Sequence, residues 1–218
     1  MWLRSGACRS KNPTSLLESM AMGRQTGREM DAFQVLGLPH RPWLDACDIR
    51  VAFQRLSRHL HPDAAGGDAG RFVELNAARA ALSHPGARLR MLAGENVTGT
   101  GGTSLTGDAD LFMSTGAIVQ KARALRTKAV GATSPLSRAL LAADASRMCG
   151  DIEAGLGQID AALNAAEGQL RTMDEVWPAV PGPDLLTLAA RFDRLLKWKS
   201  DLADFLPEFR SLFRSGSA

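Results

Sequence analysis

The chain has 218 residues, 45% apolar and 22% charged, the balance of an ordinary globular protein with room for two small domains. Lysine and arginine number 26 against 23 aspartate and glutamate, and a net charge of +3 is too small for a nucleic-acid footprint. No apolar run approaches the roughly 20 residues of a membrane-spanning helix, and the scattered Cys8, Cys47 and Cys149 have neither a C-x-x-C pair nor the spacing of a structural zinc site. These features predict a soluble protein of a reducing compartment, with no metal, no cofactor, no nucleic-acid partner and no membrane partner.

Residues 1–29 carry Arg4, Arg9, Lys11, Arg24 and Arg28 among serines and threonines, with only Glu18 and Glu29 acidic. This composition fits a disordered tail, a start placed upstream of Met20, Met22 or Met30, or a mitochondrial transit-like segment. The first two fit a cytoplasmic protein; the third would take it to the mitochondrial matrix.

Every strong periodicity beyond is helical, which predicts an all-α fold. Asp31–Leu38 reads as a short helix with Phe33, Leu36 and Leu38, stopped by Gly37 and Pro39. Asp45 then caps a longer helix, with Asp48 near its start. Ile49, Phe53, Leu56 and Leu60 recur at helical spacing as its apolar face, and Arg50, Gln54, Arg55, Arg58 and His59 make a basic outer surface. Pro62 ends it, because a residue before proline is pushed out of the α region. After the Gly66-Gly67 turn, Asp68 caps a third helix with Phe72, Leu75, Ala78 and Leu82 facing inward. Pro85 suits the first turn of a fourth, short helix carrying Leu89 and Leu92. Two longer antiparallel helices bracketed by two short ones therefore make a first module, residues 30–93. His40 and His84, each beside a proline in a turn, read as exposed histidines without special role.

Five glycines in GENVTGTGGTSLTG make 94–107 a flexible linker, without the pattern of a phosphate-binding loop. Residues 108–214 follow as three helical segments. The first, about Asp110 to Ala129, places Leu111, Ile118, Ala122 and Leu125 in register. The second starts at Ser134-Pro135 and carries a seam from Leu141 through Ile152, Ile159 and Ala166 to Met173 in steps of three or four. Its Gly150, Gly155, Gly157 and Gly168 each weaken a helix by about 1 kcal/mol relative to alanine, marking bends or points of close contact. Pro178, Pro181 and Pro183 make a hard turn, and a last helix carries Leu185, Leu188, Phe192, Leu195 and Leu202. Three antiparallel helices around one core is the simplest arrangement.

The candidate site is His61-Pro62-Asp63, in a turn between two amphipathic helices and directly after the basic helix face. Upstream lies F-x-x-L-G-L, Phe33 to Leu38; downstream lie F-x-x-L-N-x-A, Phe72 to Ala78, then Leu82, Pro85 and Arg88. Over Asp31 to Ala93 this combination resembles the J-domain family of DnaJ-like co-chaperones. The resemblance implies that the second helix and the His61-Pro62-Asp63 loop dock on a DnaK-type chaperone and trigger its ATPase, with Arg50, Arg55, Arg58 and His59 at the matching basic positions. The side chains suit such a role. A basic face steers an acidic partner surface, proline stiffens the loop, and Asp63 can accept from a cation. No nucleophile, paired carboxylates or triad appears on a credible frame, so no enzymatic activity is expected.

The module order resembles HscB, the co-chaperone of iron–sulfur cluster assembly. Leu111-Phe112-Met113-Ser114 loosely matches the F-L-M-E segment that opens that family's bundle, and Arg191 to Leu196 matches its leucine-rich basic stretch. By this resemblance Phe112, Met113 and Leu195 would hold the iron–sulfur cluster scaffold protein. Gly116, Ala117 and Gln120 depart from the family's apolar and acidic pattern. A J-protein with a different client, or a helical interaction module without chaperone activity, remain the alternatives.

Overall fold

The computed structural model describes residues 31–61, 67–94, 107–131 and 134–215, and among them the only regular elements are eight α-helices. The readings of 1–29, of the body of the glycine-rich stretch, and of Pro62, Asp63 and Gly66 fall outside the described residues. The chain divides into two compact units, one containing 31–40 and 44–83, the other 41–43 and the chain from His84 onward.

The first unit holds α1 (Ala32–Leu36), α2 (Ala46–Leu60) and α3 (Ala69–Ser83). Local chemistry sets each boundary. Asp31 caps α1 by accepting from the Phe33 N–H at 3.0 Å, and Gly37 ends it in the left-handed region at φ 65°. Asp45 accepts from the Cys47 N–H at 2.7 Å to start α2, and Asp68 accepts from the Arg71 N–H at 3.1 Å to start α3. The α2–α3 pairings run in opposite order, His61 against Phe72 and Phe53 against Arg79, so the two helices are antiparallel. Phe33, Leu36, Ile49, Ala52, Leu75, Ala78 and Leu82 are buried. Phe53, Leu56, Leu60 and Phe72, expected inward with them, are only half-buried. The short α1 and the single partner α3 leave part of this wide apolar stripe open, and its flank is covered by the Arg79 guanidinium, 4.5 Å from the Phe53 ring.

The second unit contains α4 (Pro85–Ala93), α5 (Ala109–Val130), α6 (Pro135–Glu175), α7 (Gly182–Ala203) and α8 (Leu206–Ser215). Helices α6 and α7 run antiparallel, with Gly155 beside Leu202, Asp160 bonded to Lys199 at 2.7 Å and Gln169 to Arg191 at 3.1 Å. Asp108 reaches Arg191 and Phe112 reaches Trp198, so α5 runs parallel to α7. One core joins Ala122 and Leu125 of α5, Met148, Ile152 and Ile159 of α6, Leu195 and Leu202 of α7, and Phe205 and Phe209 at α8. A second gathers Leu89 of α4, Ala166 and Leu170 of α6, and Leu185, Leu188, Ala189 and Phe192 of α7.

Two expectations change. Helix α4, read as closing the first module, packs in the second unit, because Leu89 is fully buried there. A carbon side chain at Gly86 would overlap Asp193 Oδ1 and sit 3.0 Å from the Ala189 carbonyl oxygen, so bare backbone lets α4 lie directly on α7. Helix α8 adds a further element to the C-terminal region. Pro207 has no N–H for the Ala203 carbonyl, so α7 stops and a new helix starts around the proline. Of the four glycines singled out on α6, Gly155 alone is a close-contact point, where an added Cβ would lie 2.9 Å from Ile118 Cδ1, whereas Gly150, Gly157 and Gly168 face open space.

Candidate functional site

The site is built at the C-terminal end of α2. His61 takes φ −56° and ψ 134°, the extended conformation forced on a residue before proline, while its N–H still donates to the Ser57 carbonyl at 2.9 Å. The Asp68 N–H donates to the Leu60 carbonyl at 3.3 Å, tying the two ends of the loop together. The His61 ring is exposed and meets Phe72 edge-on, with ring centres 5.3 Å apart. This contact holds the imidazole against α3.

Arg50, Arg55, Arg58 and His59 are all exposed, Arg55 and Arg58 on the side of α2 opposite Ile49, Leu56 and Leu60, Arg50 and His59 on its flanks. Arg58 and His59 lie in the last turn, where cations are favoured by the helix dipole. Val51, Arg55 and Arg58 fall at i, i+4 and i+7, and Val51 is 53% exposed. This valine at the centre of a charged face was missed in the sequence, where an isolated apolar residue among arginines carries no periodic signal. Arg50 turns toward the N-terminal end of α2, its Nη2 3.6 Å from Cys47 Sγ. Both border a cavity of about 340 Å³ with Arg79 and Ser83.

The second set of predicted residues divides. Phe112 and Met113, on the first turn of α5, are 43% and 69% exposed, and Phe112 also leans on Trp198 with ring centres 5.6 Å apart. Gly116, Ala117 and Gln120 continue the same exposed face without apolar bulk or charge. Leu195 is fully buried in the α5–α8 core, which removes it from any docking surface. It occupies a three-four seam with Leu188, Phe192 and Leu202, and that spacing faces the core. Arg191, read as part of a basic stretch, turns inward. Its Nε and Nη2 donate to Asp108 at 2.9 and 2.8 Å, and Nη1 donates to Gln169. Asp108 is 3% exposed, so this bidentate pair fastens the start of α5 to α7. It also engages one of the two arginines that line an open groove of about 700 Å³ between α6 and α7, whose walls include Gln169, Thr172, Thr187 and Arg194 as well.

Two further charged residues serve packing. Arg88, matched to the motif in the sequence, is 3% exposed and donates from Nε to the Pro42 carbonyl at 2.8 Å. Burial pulls its pKa down to about 10, against the opposing charge of Asp174, so it stays charged at neutral pH. Asp174 accepts from the Arg41 guanidinium and from the Trp43 N–H, and Arg171 covers the Trp43 ring at 4.3 Å. Segment 41–43 is thereby pinned within the second unit. His40 is exposed as expected, paired with Asp31 and stacked on Phe33. His84 is half-buried and caps α4, contrary to its reading as an exposed bystander.

Compared with known protein families, curated proteins and solved structures, the chain matches none. Among the described residues no helix is long and apolar enough to cross a membrane.

Proposed function

We propose that the protein is a J-domain co-chaperone that binds a DnaK-type chaperone through α2 and the His61-Pro62-Asp63 loop and stimulates its ATPase, without catalytic groups of its own. One observation carries the reading. The motif histidine stands exposed where α2 gives way to the loop, on an antiparallel helix pair whose outer face presents Arg55, Arg58 and His59 to solvent. The arginine face would attract an acidic patch on the chaperone and speed encounter.

The test is single-turnover ATP hydrolysis by the cognate chaperone. Wild type should accelerate it, and Asp63→Asn or His61→Gln should abolish the acceleration with unchanged circular dichroism. Stimulation by both variants at the wild-type level would end the J-domain reading.

Within that function we infer an HscB-like role, delivery of an iron–sulfur cluster scaffold protein held at the exposed pair Phe112 and Met113 with Trp198 beside them. A cytoplasmic setting, or the mitochondrial matrix, suits that role. Phe112→Ala with Met113→Ala should weaken scaffold binding in a calorimetric titration while the melting temperature stays within about 2 °C, as for an exposed anchor. The small neutral Gly116, Ala117 and Gln120 favour a second reading, a J-protein with another client. Absence of scaffold binding by the wild type would select it.

A further inference from the structure

Helix α4 begins on a histidine. His84 holds the N-cap with extended backbone, φ −98° and ψ 109°, and its Nδ1 lies 3.3 Å from the Ala87 N–H. To accept that hydrogen bond Nδ1 needs its lone pair, so the ring must be neutral with its proton on Nε2. The same Nδ1 lies 3.7 Å from Oδ1 of Asp193 on α7. These two contacts make opposite demands on one atom. The Ala87 amide requires an unprotonated nitrogen, whereas the carboxylate favours a protonated one.

The surroundings decide which demand wins. Asp193 is already engaged by the Arg90 guanidinium. Gly86 brings the first turn of α4 against Asp193 and the Ala189 carbonyl on bare backbone. The charged groups around the ring are Arg88 and Arg90 from α4 and Asp193 from α7, with Asp174 of α6 acting on Arg88. Burial first, then Arg90 and Arg88, lower the His84 pKa below the ordinary 6.5. At neutral pH the ring is uncharged and the cap is made.

We propose that His84 is an acid-sensitive latch on α4: protonation of Nδ1 releases the Ala87 N–H, turns the ring toward Asp193 in competition with Arg90, and loosens the first turn of α4 from α7. The folded state prefers the neutral ring. The latch therefore contributes fully above the unfolded value of 6.5 and is lost as pH falls from there through the lowered folded value. This device belongs to the second unit and stands apart from the co-chaperone reading.

The experiment is a nuclear magnetic resonance titration of the full chain between about pH 5 and 8, following the His84 ring and the Ala87 amide. His84 should titrate with a midpoint below 6.5, and the Ala87 amide shift should follow the same midpoint. Once the ring is charged, Ala87 exchange, corrected for its intrinsic pH dependence, should quicken roughly fivefold or more. His84→Asn keeps a capping oxygen that does not titrate, so it should flatten that pH dependence. Asp193→Asn removes the partner of the charged ring and should push the His84 midpoint lower still. A midpoint at or above 6.5, an Ala87 amide indifferent to His84, or a pH dependence that survives in His84→Asn would each overturn the latch.

Discussion

Two sets of arginines, one in each unit, are used in opposite ways. In the first, Arg50, Arg55 and Arg58 stand in solvent on α2, and the helix beneath them leaves Phe53, Leu56 and Leu60 half-buried. In the second, Arg88 is buried under α4 and Arg191 is bound bidentate to a buried aspartate, with two apolar cores close by. A free guanidinium in water is a long-range attractor that adds little to stability. A guanidinium removed from water is a structural fastener, costly to strand and silent toward partners. Residue type alone therefore does not identify an interaction surface here; burial does.

The contrast can be broken most sharply at α4. Leu89→Ala should cost about 2–5 kcal/mol, the range for truncating a fully buried leucine. In a Trp2→Phe background the remaining Trp43, Trp177 and Trp198 all lie in the second unit, so their fluorescence reports its unfolding. That transition should move in Leu89→Ala. An unmoved one would return α4 to the first module.

A smaller effect separates two glycines on one helix. Gly155→Ala should destabilise by up to about 2 kcal/mol net, because the pressure of its methyl on the Ile118 and Leu202 side-chain ends outweighs the helix gain of about 1 kcal/mol. Gly157→Ala, in open space two residues on, should stabilise by up to about 1 kcal/mol. Denaturant midpoints of the pair read both signs at once, and equal shifts would contradict the α6–α7 packing.

The least change in stability belongs to the exposed face of α2. Arg55→Glu with Arg58→Glu should alter unfolding by no more than about 0.5 kcal/mol. The same change should slow association with the DnaK-type chaperone at low salt, and the difference should shrink near physiological salt, where the screening length is about 8 Å. Association indifferent to both charge and salt would detach the basic face from chaperone binding.

Local chemistry was readable residue by residue. Asp45 and Asp68 as caps, Gly37 as a stop and the break of α2 before Pro62 all follow from backbone chemistry within a few residues, whereas Asp31, read as the first residue of α1, is its cap. Helical periodicity likewise marked Ile152, Ile159 and Leu195 as inward positions, since a three-four repeat leaves them one face to bury. The same rule should have kept Leu195 off the client surface, where family resemblance placed it. Tertiary structure decided what periodicity cannot express: which core receives an inward face. Leu89 needs only an apolar cover, and nothing in its own helix distinguishes α3 from α7 as the provider. Gly86 permits the approach to α7, but a glycine in sequence does not say what comes near it. Arg88 became a buried anchor on the Pro42 carbonyl and Arg191 an inward partner of Asp108 for the same reason. Each depends on an atom contributed from far along the chain, and such meetings are fixed by packing rather than by neighbours in sequence.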